Sequence, residues 1–104
     1  LGGDIYIHGG CETIGCLPMT NELIEQIYII NVFARSAGQR DIPIHIFPTK
    51  LTFNNMNKLK REYFNGKTEI LRFWENLKEG YDFFEEKRLL PIIYVNEKGK
   101  YVFN

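Results

Sequence analysis

The sequence predicts an α+β domain, with helices and strands segregated along the chain rather than alternating as βαβ units. Two observations favour this class: four short β-type runs and three stretches of helical spacing occur, and the last two β-type runs follow each other directly. The 104 residues are 44% hydrophobic and 14% aromatic, which is typical of a folded globular chain and not of a disordered one. We therefore expect residues 1–104 to form a single domain.

A first strand and a first helix flank a glycine-rich segment. Residues 5–7 (Ile-Tyr-Ile) predict a short strand that leads into a loop. Thr20 or Asn21 is suited to begin the following helix, because the side-chain oxygens of these residues accept N–H groups at helix N-termini. Gly38 is typical of a helix end. The predicted apolar stripe of this helix comprises Leu23, Ile24, Ile27, Tyr28, Ile30 and Ala34.

The middle of the chain combines one predicted strand with two predicted helices. Residues 42–48 alternate isoleucine with other side chains, which predicts a strand with the isoleucines on one face; Pro43 places it at a sheet edge or a strand start. Residues 55–64 are polar and compatible with a helix. Residues 68–87 form an aromatic-rich helical pattern that we expect Gly80 to interrupt. Its predicted apolar stripe is Ile70, Leu71, Phe73, Trp74 and Leu77.

The C-terminal residues predict a β-hairpin. Residues 92–95 and 100–103 are β-type runs, and residues 96–99 (Asn-Glu-Lys-Gly) between them have the composition of a tight turn.

Charge and hydropathy exclude several classes of function. Thirteen basic and thirteen acidic side chains give no net charge, which argues against nucleic-acid binding, because that affinity comes mainly from clustered basic residues. No apolar run approaches the roughly 20 residues that a membrane-spanning helix needs. The chain begins with Leu1 and has no signal peptide. We expect it to be the interior of a longer protein, whose targeting segment lies outside this chain.

Residues 8–16 (His-Gly-Gly-Cys-Glu-Thr-Ile-Gly-Cys) are the stretch best suited to carry chemistry. A thiol needs a base to become a nucleophilic thiolate near neutral pH, and histidine is the usual one. A glycine-rich loop can place His8 and Cys16 within hydrogen-bond reach, with the N–H groups around Gly15 and Cys16 facing an oxyanion. The alternative is a tight turn with a buried, inert Cys16 and a solvent-facing His8.

The same segment resembles the active-site segment of the L,D-transpeptidase catalytic domain, the YkuD-like fold, and most closely its YafK-like branch. Residues 7–9 and 13–20 carry the resemblance, and Thr13, Gly15 and Cys16 match three positions of the family's Ser/Thr-His-Gly-Cys motif. It continues through residues 38–39, 45–48 and 73–75 and the closing hairpin.

The resemblance implies a fold, a site and a reaction. The fold is a β-sheet or sandwich with packed helices, whose N-terminal strands are missing from this chain, so that residues 1–104 are the C-terminal portion of the catalytic domain. Cys16 is implied as the nucleophile and His8 as its general base, with Gly15 and Gly9 in the oxyanion loop. The implied reaction is thioester formation at the L-centre of a diamino acid in peptidoglycan stem peptides, followed by transfer to an amine or to water.

The resemblance also implies where and with what the protein acts. Its partners are peptidoglycan stem peptides and, for the YafK-like branch, a protein attached to the cell wall. The location is extracytoplasmic, in the periplasm or at the cell wall, and no metal or organic cofactor is expected. A catalytically silent wall-binding module of the same fold is the alternative function. The missing N-terminal strands favour it, as does Pro18, which stands where the wider family often has Arg or Asn. The presence of both His8 and Cys16 argues against it. Ile14, in place of the family's second histidine, is a departure that the YafK-like branch shares.

Four further interpretations remain open. A disulfide between Cys11 and Cys16 would block the nucleophile, whereas the simpler prediction is a free Cys11 packed as a small apolar residue. Zinc is possible, because His8, Cys11, Cys16 and His45 offer four nitrogen and sulfur ligands. His45 is otherwise predicted to be half-buried and to support the wall of the active site. The aromatic residues of 73–84 are interpreted first as core and second as a ligand platform.

Overall fold

The chain mixes helices with two small sheets, as an α+β class requires. The computed structural model describes residues 4–63 and 65–104. It contains strands β1 (Ile7–His8), β2 (Leu17–Pro18), β3 (Ile93–Val95) and β4 (Tyr101–Phe103), and helices α1 (Thr20–Ser36), α2 (Phe53–Tyr63) and α3 (Thr68–Lys87). Phe64, the predicted last residue of the second helix, lies outside the described residues.

Two compact units divide the chain. The first lies within Leu1–Ile44 and contains β1, β2 and α1; the second, His45–Asn104, contains α2, α3 and the β3–β4 hairpin. In the first unit β1 pairs with β2 in parallel, and in the second β3 pairs with β4 antiparallel. The residues predicted to be catalytic therefore belong to the first unit.

Helix α1 begins and ends as the sequence predicts. Thr20 has a φ of 63°, outside the helical region, and its hydroxyl accepts the N–H of Leu23 at 3.5 Å, which is the role of a capping side chain. At the other end Gly38 has a φ of 100°. Its N–H donates to the carbonyl of Arg35, and the next N–H donates to the carbonyl of Ala34. These two bonds close the helix in a Schellman motif.

The apolar stripe of α1 is narrower than predicted. No residue of the helix is buried. Ile24, Ile27 and Ala34 are half-buried, whereas Leu23, Tyr28 and Ile30 are exposed. Together with the half-buried Asn31, these positions follow a spacing of three and four residues, which places them on one side of the helix. The sequence overestimated this stripe because α1 is apolar on more than one side.

The second unit has a small core built mainly from α2 and from Leu51, two residues before it. Leu51, Met56 and Leu59 are buried, with Leu51 fully enclosed. Four half-buried side chains pack against them: Phe47, Trp74, Leu77 and Tyr81. The predicted stripe of α3 is therefore confirmed at Trp74 and Leu77, but Phe73 is about half exposed.

Residues 42–48 do not form the predicted strand. In the part of the chain that the structure describes they have no strand partner, and Ile42, Ile44 and Ile46 are exposed. The half-buried side chains are His45 and Phe47. Burial therefore alternates along the segment, but the isoleucines face solvent and the other side chains are partly covered. Pro43 offers no N–H for pairing, and a β-type run without a neighbouring strand remains an extended segment.

Gly80 does not interrupt α3, which runs unbroken from Thr68 to Lys87. Gly80 is buried, and a Cβ atom there would lie only 2.4 Å from the ring of Phe103. Glycine is thus needed at this position for the close approach of β4. The sequence suggested a helix break here, but the glycine serves packing instead.

Replacing Gly80 with alanine is expected to lower the free energy of unfolding by about 1–2 kcal/mol, because the overpacking cost exceeds the gain in helix propensity. Urea unfolding measures the change. In a Phe103→Leu background the smaller side chain gives way, so the same substitution should cost less. An equal cost in both backgrounds would contradict the packing explanation.

The C-terminal hairpin is confirmed with its predicted turn. Strands β3 and β4 pair in the register Ile93–Phe103, Tyr94–Val102 and Val95–Tyr101. The side chain of Asn96 closes the turn by accepting the N–H groups of Lys98 and Lys100, at 2.9 and 3.0 Å. Asn96, one of the turn residues that predicted the hairpin, therefore forms the hydrogen bonds that close the turn.

A buried amide fastens the hairpin to α3. The side chain of Asn76 is 6% exposed; its Nδ2 donates to the carbonyl of Tyr101 and its Oδ1 accepts the N–H of Tyr101, both at 2.8 Å. The side chain thus pairs with β4 as a neighbouring strand would, and a buried polar group is fully used.

Candidate active site

The predicted catalytic segment forms a short parallel β-ladder closed by a loop. Ile7 pairs with Leu17 and His8 with Pro18. The N–H of Leu17 donates to the carbonyl of Tyr6 at 2.9 Å, and the N–H of Met19 donates to the carbonyl of His8 at 2.8 Å. Strand β2 was not predicted, because its two residues lie in a segment without a strand pattern of its own. Its pairing with β1 fixes both ends of the loop 9–16.

Cys16 lies next to the ladder that contains His8. It directly precedes β2, as Tyr6 directly precedes β1, and the N–H of Tyr6 contacts the Sγ atom of Cys16 at 3.5 Å. The thiol is therefore turned toward the backbone at the start of β1, two residues before His8.

The imidazole and the thiol are not directly bonded in this structure. Within residues 4–63 no hydrogen bond joins His8 to Cys16. Catalytic hydrogen bonds often tighten only when substrate is bound. The pairing of His8 with Cys16 therefore stays a prediction.

The ring of His8 is held in one tautomer. Its Nδ1 atom lies 2.5 Å from the carbonyl oxygen of Gly9. A carbonyl oxygen can only accept, so Nδ1 carries a proton, and in the neutral ring Nε2 keeps its lone pair. His8 is therefore arranged to receive a proton at Nε2, which is what a general base for a thiol must do.

The hydroxyl of Thr13 orders the backbone of Cys16. The N–H of Cys16 donates to Oγ1 of Thr13 at 2.9 Å, and Gly15 has a φ of 101°, which glycine adopts without cost. The N–H of Cys16 is thus already bonded, whereas the sequence suggested it as an oxyanion donor. Thr13 was identified only as a motif match; a hydroxyl three residues before a predicted nucleophile is the signal for this turn.

Gly9 lies against the first turn of α1. A Cβ atom at this position would sit 2.5 Å from Oδ1 of Asn21 and 3.2 Å from the side chain of Ile24. Its carbonyl, as described above, binds the imidazole of His8. The geometry therefore gives Gly9 a part in positioning His8, and the oxyanion role of Gly15 and Gly9 stays a prediction.

Both cysteines are free. Cys16 is half-buried, and Cys11 is exposed. The prediction of a free Cys11 agrees with this, but its packing as a small apolar residue was wrong, since the loop leaves it in solvent. Cys16 is half-buried, whereas the tight-turn alternative predicted a buried thiol.

The proposed zinc ligands of the first unit do not assemble. Among the described residues, His8, Cys11 and Cys16 form no group of three metal-ligating side chains. Cys16 instead contacts the backbone of Tyr6, and His8 binds a carbonyl, so both groups have partners of another kind.

The remaining predicted residues belong to the second unit. His45 is half-buried, as expected, and packs edge-on against Phe47 with ring centres 6.5 Å apart. Trp74 and Tyr81 pack against the core, as the core interpretation requires, and Trp74 stands edge-on to Tyr63 at 6.4 Å. Phe73 and Phe84 are exposed, so that interpretation was wrong for these two. A role for His45 in the wall of the active site stays a prediction.

The two departures from the family motif lie on this ladder and loop. Ile14, in place of the second histidine, is fully exposed. Pro18 is half-buried in β2 opposite His8. Pro18 has no N–H to donate, and the bond to the carbonyl of His8 is made by Met19 instead. Proline is thus compatible with the ladder that aligns the site.

Comparison with known proteins identifies two relatives. The protein named "Putative L,D-transpeptidase YafK" from Escherichia coli K12, and the one of the same name from Escherichia coli O157:H7, are each 41% identical to this chain over 98 residues. The match covers 94% of this chain but 37% of each relative, so the chain spans little more than a third of their length. No family model matches the chain. These relatives confirm the resemblance found in the sequence.

Proposed function

We propose that this chain, which is related to the YafK-like L,D-transpeptidases, carries a cysteine acyl-transfer site with Cys16 as nucleophile and His8 as general base. The observation that supports it most directly is the contact of the Cys16 Sγ atom with the N–H of Tyr6 at 3.5 Å, which brings the thiol to the start of the strand that contains His8. The bond from Nδ1–H of His8 to the Gly9 carbonyl also supports it, because it leaves Nε2 as the ring nitrogen that can accept the thiol proton.

The proposed reaction proceeds in two acyl transfers. Nε2 of His8 takes the thiol proton, and Sγ of Cys16 attacks the carbonyl carbon at the L-centre of a diamino acid in a peptidoglycan stem peptide. The tetrahedral intermediate collapses to a thioester as the carbon–nitrogen bond breaks, and the leaving amine takes the proton from His8. An incoming amine or water then attacks the thioester, gives its proton to His8, and releases the thiol.

The acceptor determines the product. An amine from a second stem peptide gives a cross-link, and water gives hydrolysis, which in the YafK-like branch would release a protein attached to the wall. Both outcomes use the same first step and the same two residues. We place this activity in the cell envelope, where peptidoglycan lies, and propose the periplasm or the wall as its site. Every helix of residues 4–63 and 65–104 is too short or too polar to cross a bilayer.

A silent wall-binding module of the same fold is the second candidate. The absence of a direct bond between His8 and Cys16 in the described residues favours it, together with the apolar Pro18 in the place of a polar substrate contact. Such a module would bind stem peptides without forming a covalent bond to them.

Intact-protein mass spectrometry after incubation with a disaccharide–tetrapeptide separates the two candidates. The transfer mechanism predicts an adduct on Cys16 with the mass of the acyl donor minus the leaving group, sensitive to hydroxylamine as thioesters are. Binding of the muropeptide without any adduct, while the protein remains folded, would contradict the transfer mechanism and support the module.

A further inference from the structure

We propose that Asn21 is a positioning residue for His8 and acts through the single peptide group between Gly9 and Gly10. Oδ1 of Asn21 accepts the N–H of Gly10 at 3.0 Å. The carbonyl of the same peptide group, that of Gly9, accepts Nδ1–H of His8 at 2.5 Å. The inference deepens the proposed function, and rests on it, because it concerns the orientation of the proposed base.

The peptide group lies between two side chains that hold it from opposite sides. A trans peptide directs its N–H and its C=O away from each other, so Asn21 and His8 occupy the two ends of one hydrogen-bonded row. The hydrogen bonds within such a row strengthen one another, because each bond polarises the next group. The amide oxygen of Asn21 therefore improves the Gly9 carbonyl as an acceptor and fixes the plane in which it receives the imidazole.

A second bond ties the same residue to the start of α1. The N–H of Thr20 donates to the carbonyl of Gly10 at 2.8 Å, so Thr20 and Asn21 together bind both backbone groups of Gly10. Thr20 adopts its φ of 63° here, a value that is costly for a β-branched residue. The strained first residue of the helix thus lies where it places Asn21 against the loop.

The side chain of Asn21 lies directly against Gly9. A Cβ atom at Gly9 would collide with Oδ1 of Asn21 at 2.5 Å, whereas one at Gly10 would meet nothing within 4 Å. The contact of Gly9 with Asn21 is therefore direct and specific to that side of the loop.

The tautomer of His8 is the most direct readout. The chain contains two histidines, so nitrogen-15 NMR of the rings resolves His8 from His45, which belongs to the other unit and serves as an internal reference. We expect the wild-type His8 to carry its proton on Nδ1, and Asn21→Ala to shift it about fivefold toward the Nε2–H form, the loss of one ordinary hydrogen bond. An unchanged tautomer in a folded Asn21→Ala protein would overturn the proposal.

Rescue and a matched control separate positioning from structural damage. Asn21→Asp keeps an acceptor oxygen and should retain the wild-type tautomer within about twofold. Asn31→Ala removes an amide of the same helix that donates to the carbonyl of Ile27 at 2.7 Å, and should leave the His8 ring unchanged. A shift in Asn31→Ala as large as that in Asn21→Ala would assign the effect to α1 in general and overturn the proposal.

A double-mutant cycle on the alkylation rate of Cys16 connects the inference with the proposed function. Asn21→Ala should slow alkylation about fivefold in the wild-type background and not at all in a His8→Ala background. If His8→Ala itself has no effect, the proposed Cys–His pair fails. If His8→Ala slows the reaction and Asn21→Ala does not, the pair stands and the positioning role of Asn21 is overturned.

Discussion

Replacing Cys16 with alanine is expected to abolish covalent acyl transfer while the fold is retained. The sulfur is the atom that forms the proposed thioester, so no other group on this ladder takes over, and turnover of stem peptides should fall by roughly 10³-fold or more. The substitution removes a half-buried thiol whose contact is one backbone N–H at 3.5 Å, and its effect on stability should therefore be small. Turnover assays and circular dichroism on the same sample measure both quantities.

Cys11 provides the matched control for this prediction. It is the other cysteine of the chain, it lies in the same loop, and it is exposed. Cys11→Ala should leave acyl transfer within about twofold of the wild-type rate, since nothing in the proposed reaction uses it. Full activity in Cys16→Ala, or loss of activity in Cys11→Ala alone, would contradict the assignment of Cys16 as nucleophile.

Replacing Asn76 with alanine is expected to lower the free energy of unfolding by about 2–3 kcal/mol. The substitution leaves the N–H and the carbonyl of Tyr101 without the two 2.8 Å bonds that join β4 to α3, and each unsatisfied backbone group carries a desolvation penalty. Chemical unfolding measures the total effect. Hydrogen exchange should show faster exchange for amides of β3 and β4 in particular, because the hairpin loses its attachment.

Asn55 is the control in the same unit. Its Nδ2 atom donates to the carbonyl of Lys50 at 2.8 Å and to Oγ1 of Thr49 at 3.5 Å, so Asn55→Ala loses bonds to one loop only and should cost about 1 kcal/mol. Equal losses for the two variants would contradict the view that Asn76 substitutes for a neighbouring strand.

Local sequence signals were sufficient for the helices and the hairpin. Gly38 ends α1 because only a short list of residues adopts a positive φ readily, and this rule is independent of the surroundings. The turn around Asn96 forms its own bonds within five residues. Where the signal and the structure lie in the same few residues, the sequence predicts well.

The errors occurred where distant contacts decide the outcome. Gly80 signalled a helix break, but its missing side chain makes room for Phe103, 23 residues away in the chain. Residues 42–48 have a strand pattern but no partner strand among the described residues. Strand β2 has a partner but no pattern, since its two residues are Leu17 and Pro18. Strand pairing and close packing each depend on two segments, so the sequence of one segment alone does not predict them.

The candidate site shows the same division. Residue type and spacing made His8 and Cys16 a candidate pair, and the family resemblance implied their roles. In the structure both residues lie at one short ladder, His8 in β1 and Cys16 directly before β2. The sequence did not indicate that Asn21 bonds to Gly10 or that the imidazole bonds to the Gly9 carbonyl. Those contacts depend on how α1 meets the loop, and Asn21 entered the sequence analysis only as a candidate helix cap.

The measurement that tests the central claim most directly is the rate of Cys16 alkylation as a function of pH, with and without His8→Ala. Peptide mapping by mass spectrometry follows Cys16 and Cys11 in the same sample, so the exposed Cys11 is an internal reference for ordinary thiol reactivity. A working pair predicts that Cys16 reacts roughly tenfold faster than Cys11 between about pH 6 and pH 7, and that His8→Ala removes this advantage. A Cys16 that reacts no faster than Cys11, with a rate unaffected by His8→Ala, would contradict the Cys–His mechanism.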